Sequence, residues 1–212
     1  MELVATINKT KYDIFRWRYE LAIPKKITLA IGMACLIGLL AQVRFYIPWS
    51  PVPVTGQTFA VLLAGVIMGR RWGGISIAIY TAIGAAGVPW FAPQAGMPIF
   101  SAGGISHIAG PTGGYIVGFV LAALFLGYIT DKYVKARGFF NMLGLMLFTS
   151  LVIIYVPGLI WLGIWLNLIS GMTADIGAVI AMGAAPFILG DILKVAAAAT
   201  TAKAIIPKED YR

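Results

Sequence analysis

The stretch PFILGDILKVAAAATTAKAII, residues 186–206, decides the fold. It is long enough to cross a bilayer, because a spanning helix needs about 20 mostly apolar residues. Two charged residues, Asp191 and Lys194, lie inside it three positions apart. Charge within a membrane segment is costly and usually marks a binding site or a transport pathway. The stretch therefore predicts a membrane helix that carries a polar function in its first half.

The composition of the whole chain agrees with a membrane location. Of 212 residues, 60% are hydrophobic and only 11% are charged, whereas soluble domains carry roughly 25% charged residues. The formal net charge of +8 raises the alternative of nucleic-acid binding. The basic residues cluster at the ends of apolar segments, however, which indicates contact with lipid headgroups. We therefore predict an all-α integral membrane protein in contact with the lipid bilayer, with no nucleic-acid partner.

The apolar segments divide the chain into three parts. Residues 1–26 form a basic arm with a predicted helix on the membrane surface, 27–205 a six-helix membrane domain, and 206–212 a tail. The six helices are expected at about residues 27–44, 54–70, 73–89, 113–130, 139–157 and 186–205, with Pro186 in the first turn of the last. Residues 90–112 are predicted to form a loop. Residues 158–185 are either an extension of the fifth helix or a segment near the outer surface.

The positions of the basic residues predict the orientation, because short cytoplasmic loops are rich in lysine and arginine. All but two of the 16 lysine and arginine residues fall in the arm, in the loops after the second and fourth helices, or at the carboxyl end. Both termini of this multi-pass cell-membrane protein are therefore predicted to be cytoplasmic. The two exceptions, Arg44 and Lys194, fall with Asp191 in the outer half of the bundle.

Asp191 and Lys194 share one helix face, since residues three apart on a helix are neighbours. They form either an ion pair that joins helices or the polar floor of a pocket open to the outside; intramembrane charge favours the pocket. Gln57 and Thr58, in the proline-rich stretch 48–58, belong either to a rigid outer turn or to the upper wall of that pocket.

Small residues repeat every fourth position on the first helix, at Ala30, Ala34 and Gly38. Such a face lets another helix approach closely in lipid. The sequence leaves two interpretations open, namely packing inside the bundle and a docking face for a partner membrane protein.

The sequence lacks the motifs that define several classes of function. The glycine-rich segment 110–118 has no Lys-Ser/Thr ending, and no nucleotide-binding P-loop occurs in the chain. His107 is the only histidine and Cys35 the only cysteine, so neither a metal site nor a catalytic triad is indicated. We predict that the protein is not an enzyme and uses no cofactor or metal.

Four motifs occur together in a fixed order: PVPVTGQTFAVLLAGVIMG (51–69), GAAGVPWF (84–91), GPTGGYIVGF (110–119) and PFILGDILK (186–194). In combination they resemble the BioY family, the biotin-specific substrate-binding (S) components of energy-coupling factor transporters. The resemblance runs from about residue 27 to 205, while residues 92–100 look longer than the family pattern. It implies a six-helix S-component bundle that binds biotin near the outer face. It also implies partners, a transmembrane coupling protein and two cytoplasmic ATPases, with Ala30, Ala34 and Gly38 docking the coupling protein.

The chemistry of biotin suggests roles for the outer polar residues. Asp191 can accept the ureido N–H groups, and Lys194 can donate to the ureido carbonyl or neutralise Asp191. Arg44 is the expected partner of the carboxylate, and Gln57, Tyr80 and Tyr115 are candidate wall residues. A reversed pose, with the carboxylate on Lys194, stays open. The alternative function is an ion- or proton-coupled secondary transporter for biotin or another small vitamin, which works without ATPases and uses Asp191 as its proton carrier.

Overall fold

The structure is a computed structural model that describes residues 21–207 together with Thr10, Tyr12, Phe15 and Glu20. From residue 21 onward the chain forms seven helices: α1 (Ile23–Gln42), α2 (Gln57–Ala85), α3 (Ile105–Ile108), α4 (Gly113–Lys132), α5 (Phe139–Ile169), α6 (Ile176–Gly183) and α7 (Ile188–Ile205). Two short antiparallel strands, β1 (Arg44–Phe45) and β2 (Val54–Thr55), connect α1 to α2. A 3₁₀ turn, Val134–Arg137, precedes α5.

Helix α1 begins beside Pro24, whose missing N–H is harmless in a first turn. Its inward face carries small residues, and Ala30, Ala34, Gly38 and Ala41 are buried. Its outward face carries large apolar side chains: Ile27, Leu29, Ile31, Leu36 and Leu39. This arrangement suits a helix in lipid, where close packing between helices, rather than exclusion of water, drives association.

Helix α2 is a hairpin, because the chain reverses at Gly69. This residue has φ 73°, a left-handed conformation that glycine adopts without steric cost. A Cβ atom at Gly73 would lie 2.7 Å from the carbonyl oxygen of Ala64, and Gln57 bonds to Tyr80 across the hairpin. The arms 57–68 and 70–85 are thus antiparallel neighbours, and they correspond to the second and third predicted helices.

The number of membrane passes agrees with the sequence prediction. Four helices, α1, α2, α4 and α5, are long and apolar enough to span a membrane, and the pair α6 and α7, bent by 46°, counts as a fifth span if taken together. Since α2 contributes two arms, the chain has six apolar passes.

Helix α4 lies at the centre, between the α2 hairpin and α5. Its glycines permit this close approach: a Cβ atom would lie 2.3 Å from the Pro157 oxygen if added at Gly114, and 2.8 Å from the Ile154 Cα if added at Gly118. Helix α5 continues through Pro157 to Ile169, which confirms the extension interpretation for residues 158–169. A π-helical turn, Thr149–Ile154, precedes the proline, and such local adjustments allow proline inside a membrane helix.

Several predicted boundaries need correction. The first helix ends at Gln42, because residues 44–45 pair with residues 54–55 as a strand. Pro186 lies in the turn before α7 rather than inside its first turn. The predicted surface helix of the arm and the tail 208–212 lie largely outside the described residues. Of the arm, Phe15 is helical and only 1% exposed.

The core has two parts. At one end of the bundle, which we call the packed end, apolar residues fill the space between α2, α4, α5 and α7: Phe15, Leu62, Leu63, Val66, Leu126, Met142, Met146, Val195, Ala198, Ala199, Ala202 and Ile206. At the other end, the core residues surround a cavity.

Candidate ligand-binding cavity

A cavity lies between β2, α2, α4, α5 and α7, and the segment 91–92 and α3 complete its walls. Much of the lining is apolar: Val52, Val54, Ile116, Phe119, Ile154 and Phe187. The polar groups are few and lie at separate places, an arrangement typical of a site that fixes the orientation of a largely apolar ligand.

Asp191 is the centre of the main polar group. Its side chain is 4% exposed, and Tyr155 donates its hydroxyl hydrogen to Oδ2 at 2.5 Å. Lys194 forms an ion pair with Oδ1 and donates to the Thr55 carbonyl oxygen at 3.0 Å. The carboxylate therefore has a partner on each oxygen, and the pair joins α7 to α5 and β2.

The local structure explains why these groups meet. Asp191 and Lys194 lie near the beginning of α7, three positions apart and on one face. Tyr155 follows directly after the π-helical turn of α5. An inserted π turn shifts the angular position of the residues that follow it, and such turns occur often at functional sites.

A second polar group lies on the α2 wall. Gln57 donates through Nε2 to the Tyr80 hydroxyl oxygen at 2.7 Å, and its Oε1 accepts from the Thr55 hydroxyl at 3.2 Å. Tyr80 is fully buried, and its ring packs edge-on against Phe91 with centroids 5.3 Å apart. The Gln57 side-chain amide is thereby held on both sides, by Thr55 and by Tyr80.

Tyr115 joins α4 to the end of α6. Its hydroxyl donates to the Gly183 carbonyl oxygen at 2.7 Å, and its ring lies 6.5 Å from that of Tyr155. Its phenolic hydrogen is committed to the protein, so it presents mainly an aromatic surface to the cavity.

The sequence interpretation missed three lining residues. The sequence does not predict Tyr155 as a site residue, because a tyrosine in an apolar helix does not by itself indicate a binding site. His107 stacks on Phe91 with centroids 5.0 Å apart, and burial lowers its pKa, so the imidazole is neutral at pH 7. Thr112 has a buried hydroxyl oxygen with no hydrogen-bond partner among the described residues.

The unpaired hydroxyl of Thr112 bears on function, because buried polar groups nearly always have partners. Thr112 precedes α4 directly, yet its side chain does not cap that helix. It lines the cavity. The hydroxyl is therefore available to a bound ligand.

Arg44 lies outside the cavity lining, beside the loop 90–104. Its guanidinium donates to the Met97 carbonyl oxygen at 2.9 Å and to the Gln42 carbonyl oxygen at 3.2 Å. Gln42 in turn donates to the carbonyl oxygens of Trp90 and Phe91. These bonds attach the loop 90–104 to the end of α1.

The three small residues of α1 do not form an exposed surface. Ala30 and Ala34 are 0% exposed, and Gly38 is buried against Trp90, whose Cβ would lie 3.1 Å from an added Cβ atom. This burial agrees with the interpretation of close packing inside the bundle, and the docking of a partner protein at these positions stays a prediction.

The described part of the chain has no group of three or more histidine, cysteine or carboxylate side chains placed to hold a metal ion. The chemistry of the cavity is that of binding: one carboxylate, one ammonium, several hydroxyls and amides, and aromatic walls.

Comparison with known proteins identifies relatives. A family model described as the BioY family matches residues 9–209. A probable biotin transporter BioY of Methanothermobacter thermautotrophicus is 48% identical over 149 residues, which cover 70% of this chain and 90% of that protein. A probable biotin transporter BioY of Pyrococcus horikoshii is 36% identical over 84% of this chain and 94% of that protein. A crystal structure described as the S-component for biotin from an ECF-type ABC transporter has the same fold, with a TM-score of 0.73, 22% identity, and coverage of 86% of this chain and 93% of that one.

Proposed function

The chain belongs to the BioY family, and from that premise we propose that it binds biotin with high affinity in the cavity. We further propose that it takes biotin up as the substrate-specificity component of an energy-coupling factor transporter. The named relatives and the shared fold support this function.

One observation carries the proposal: the charged pair of α7 lies in the wall of a largely apolar cavity. A pair that only joined helices would need no cavity beside it. Biotin has a matching distribution of chemistry, with an apolar thioether ring between a hydrogen-bonding ureido group and a carboxylate.

In the proposed complex, the ureido group lies on the Asp191 side. Asp191 accepts from the ureido N–H groups, and Lys194 or Tyr155 donates to the ureido carbonyl oxygen. Both donors already have partners in the empty cavity, so ligand binding exchanges one set of bonds for another. Gln57, Tyr80 and Tyr115 contribute the surrounding wall.

The carboxylate is proposed to point toward the loop 90–104, the side on which Arg44 lies. Arg44 would have to exchange its bond to the Met97 carbonyl oxygen for one to the ligand. The reversed pose instead brings the carboxylate to Lys194.

Uptake requires an energy source, and the chain has no nucleotide-binding P-loop. We propose that a transmembrane coupling protein and two cytoplasmic ATPases supply it. Docking at Ala30, Ala34 and Gly38 stays a prediction, which their burial in this packing does not favour. We propose that both termini are cytoplasmic and that the cavity faces outward, because Arg70, Arg71 and Lys132 lie at the opposite end of the bundle.

No observation favours the proton-coupled alternative. A proton carrier needs a carboxyl group that is accessible for proton exchange, whereas Lys194 and Tyr155 each contact one oxygen of Asp191.

Uptake of radiolabelled biotin tests the proposed function. Proteoliposomes that contain this chain, a coupling protein and its ATPases should accumulate biotin only with internal ATP and should be indifferent to a proton gradient. Accumulation by the chain alone, driven by a proton gradient, would contradict the proposal and favour secondary transport.

A further inference from the structure

A second recess lies on the membrane-facing side of the bundle. It runs between the 70–85 arm of α2 and helix α4 and has a volume of about 490 Å³. Its walls and floor are apolar: Gly74, Ile75, Ala78, Val120 and Leu124. Gly74 lets α4 approach closely at the floor of the recess, since a Cβ atom there would lie 2.6 Å from Leu124 Cδ2.

Two arginines close one end of this groove. Arg70 and Arg71 line it, directly after the Gly69 reversal, and both are exposed. In the part of the chain that the structure describes, no carboxylate forms an ion pair with either guanidinium. The nearest acid, Asp131, accepts the backbone N–H of Arg70 at 3.1 Å, which ties it to the turn.

A third cation and a tyrosine border the arginines. The Arg70 guanidinium lies 5.2 Å from the ring centroid of Tyr128, and Lys132 donates to the Tyr128 hydroxyl oxygen at 2.9 Å. The mouth of the groove is thus strongly positive and rich in N–H donors, at the level where a membrane helix ends.

Another apolar groove of the bundle provides a contrast. It lies between α5 and α6, has a volume of about 560 Å³, and is lined by Leu159, Ile160, Gly163, Ile164, Asn167, Leu168, Ala174, Ile176, Val179 and Ile180. It has no charged lining residue. It offers space for an acyl chain but nothing for a charged headgroup, so of these two grooves the α2–α4 groove alone combines both.

We propose that the α2–α4 groove binds one anionic phospholipid, with the phosphate on Arg70 and Arg71 and an acyl chain along Gly74, Ala78 and Leu124. Guanidinium groups match phosphate oxygens with paired N–H donors. Basic pockets between membrane helices are suited to anionic headgroups. The small exposed side chain of Ala78 leaves room for an acyl chain against Ile75, Val120 and Leu124.

Lipid binding measured by native mass spectrometry tests this site. The purified protein in detergent is titrated with phosphatidylglycerol and with phosphatidylcholine of the same acyl chains. The wild type should retain one phosphatidylglycerol with at least about tenfold preference. The double variant Arg70→Gln/Arg71→Gln should lose roughly 10- to 30-fold in affinity, while Lys135→Gln/Lys203→Gln, which removes two exposed charges at the same end, should bind as wild type does.

A separate variant tests the proposed contact between the acyl chain and the groove. Ala78→Phe fills the groove from an exposed position and leaves both arginines in place, so it should also weaken phosphatidylglycerol by about tenfold. Ala197→Phe, on an exposed face of α7, is the matched control and should have no effect. Equal binding of the two lipids, equal loss in the lysine control, or full binding by Ala78→Phe would overturn the proposal. Displacement of the lipid by inorganic phosphate alone would likewise reduce the groove to a simple anion site.

Discussion

The two ends of α7 differ: the first turns border the cavity, and the later turns pack into the core of the bundle. Its first turns carry Asp191 and Lys194, whose charged groups reach across to α5 and β2. Its later turns present Ala198, Ala199 and Ala202 to the core, all of them 0% exposed. Both halves belong to the span that α7 forms together with α6, so hydropathy alone does not separate them. Side-chain size and charge do.

The two ends also differ in what their contacts allow. At the packed end, the alanines let α7 lie close against the leucines and methionines of α2 and α5. At the cavity end, the carboxylate contacts the ammonium and the phenol, and in the proposed complex each exchanges its partner for a ligand group. We therefore expect the packed end to supply stability and the cavity end to supply recognition, and mutations should separate these properties.

The largest effect is expected from Asp191→Asn. The change keeps the side-chain size but removes the anion and leaves Lys194 without its counter-charge, and breaking a buried pair typically costs about 3–5 kcal/mol. Biotin affinity, measured by calorimetric titration, should fall by at least roughly 100-fold, or about 2.7 kcal/mol. Asp175→Asn is the matched control, because it removes an exposed carboxylate and keeps the α6 cap. Wild-type affinity in Asp191→Asn would make the acid purely structural.

At the packed end, Ala198→Leu should lower the stability of the fold and leave biotin affinity nearly unchanged. Three additional carbon atoms overfill a closed core, which costs about 1–3 kcal/mol of unfolding free energy. Thermal unfolding in detergent should show the loss, while the biotin affinity of the folded protein stays within about twofold of wild type. Ala197→Leu, one position away on the exposed face, should change neither property. A large loss of affinity in Ala198→Leu would mean that the two ends are not independent.

Thr112→Val tests whether the unpaired Thr112 hydroxyl forms a hydrogen bond with the ligand. Valine keeps the shape, and no helix cap is lost because the threonine side chain makes none. The loss of one neutral hydrogen bond should weaken biotin by about 3- to 10-fold, as measured by titration. Thr81→Val, whose hydroxyl bonds within its own helix, is the control. Equal affinity in wild type and Thr112→Val would remove this residue from the site.

The smallest effect is expected from Arg44→Gln, because the rim is open to water and an exposed ion pair contributes at most about 1 kcal/mol. Biotin should bind about 2- to 5-fold more weakly, whereas biotinamide, which lacks the carboxylate, should bind unchanged. The same loss for both ligands would mean that Arg44 acts only by holding the loop 90–104, and it would favour the reversed pose on Lys194.

Much of the fold could be predicted because membrane segments are long and simple. The six passes and the charged positions inside α7 follow from runs of apolar residues and from the cost of charge in lipid. The structure brings five of the residues chosen from the sequence, Asp191, Lys194, Gln57, Tyr80 and Tyr115, into one cavity lining.

The remaining features depend on tertiary contacts that carry no local signal. The spacing of Ala30, Ala34 and Gly38 is the same for an inward and an outward face, so burial could not be read from it. Tyr155 reaches Asp191 because a π turn precedes it, and apolar periodicity does not report such a turn. The hydroxyl of Thr112 becomes informative only once the surrounding partners are known to be absent.

Direct titration of the purified wild-type protein with biotin tests the central claim most directly. One biotin per chain should bind with a sub-micromolar Kd, since a buried site with several polar and apolar contacts supports roughly −8 to −12 kcal/mol. Excess thiamine or riboflavin should not displace it. The absence of any heat with biotin, together with clear binding of thiamine or riboflavin, would contradict the assignment of biotin to this cavity.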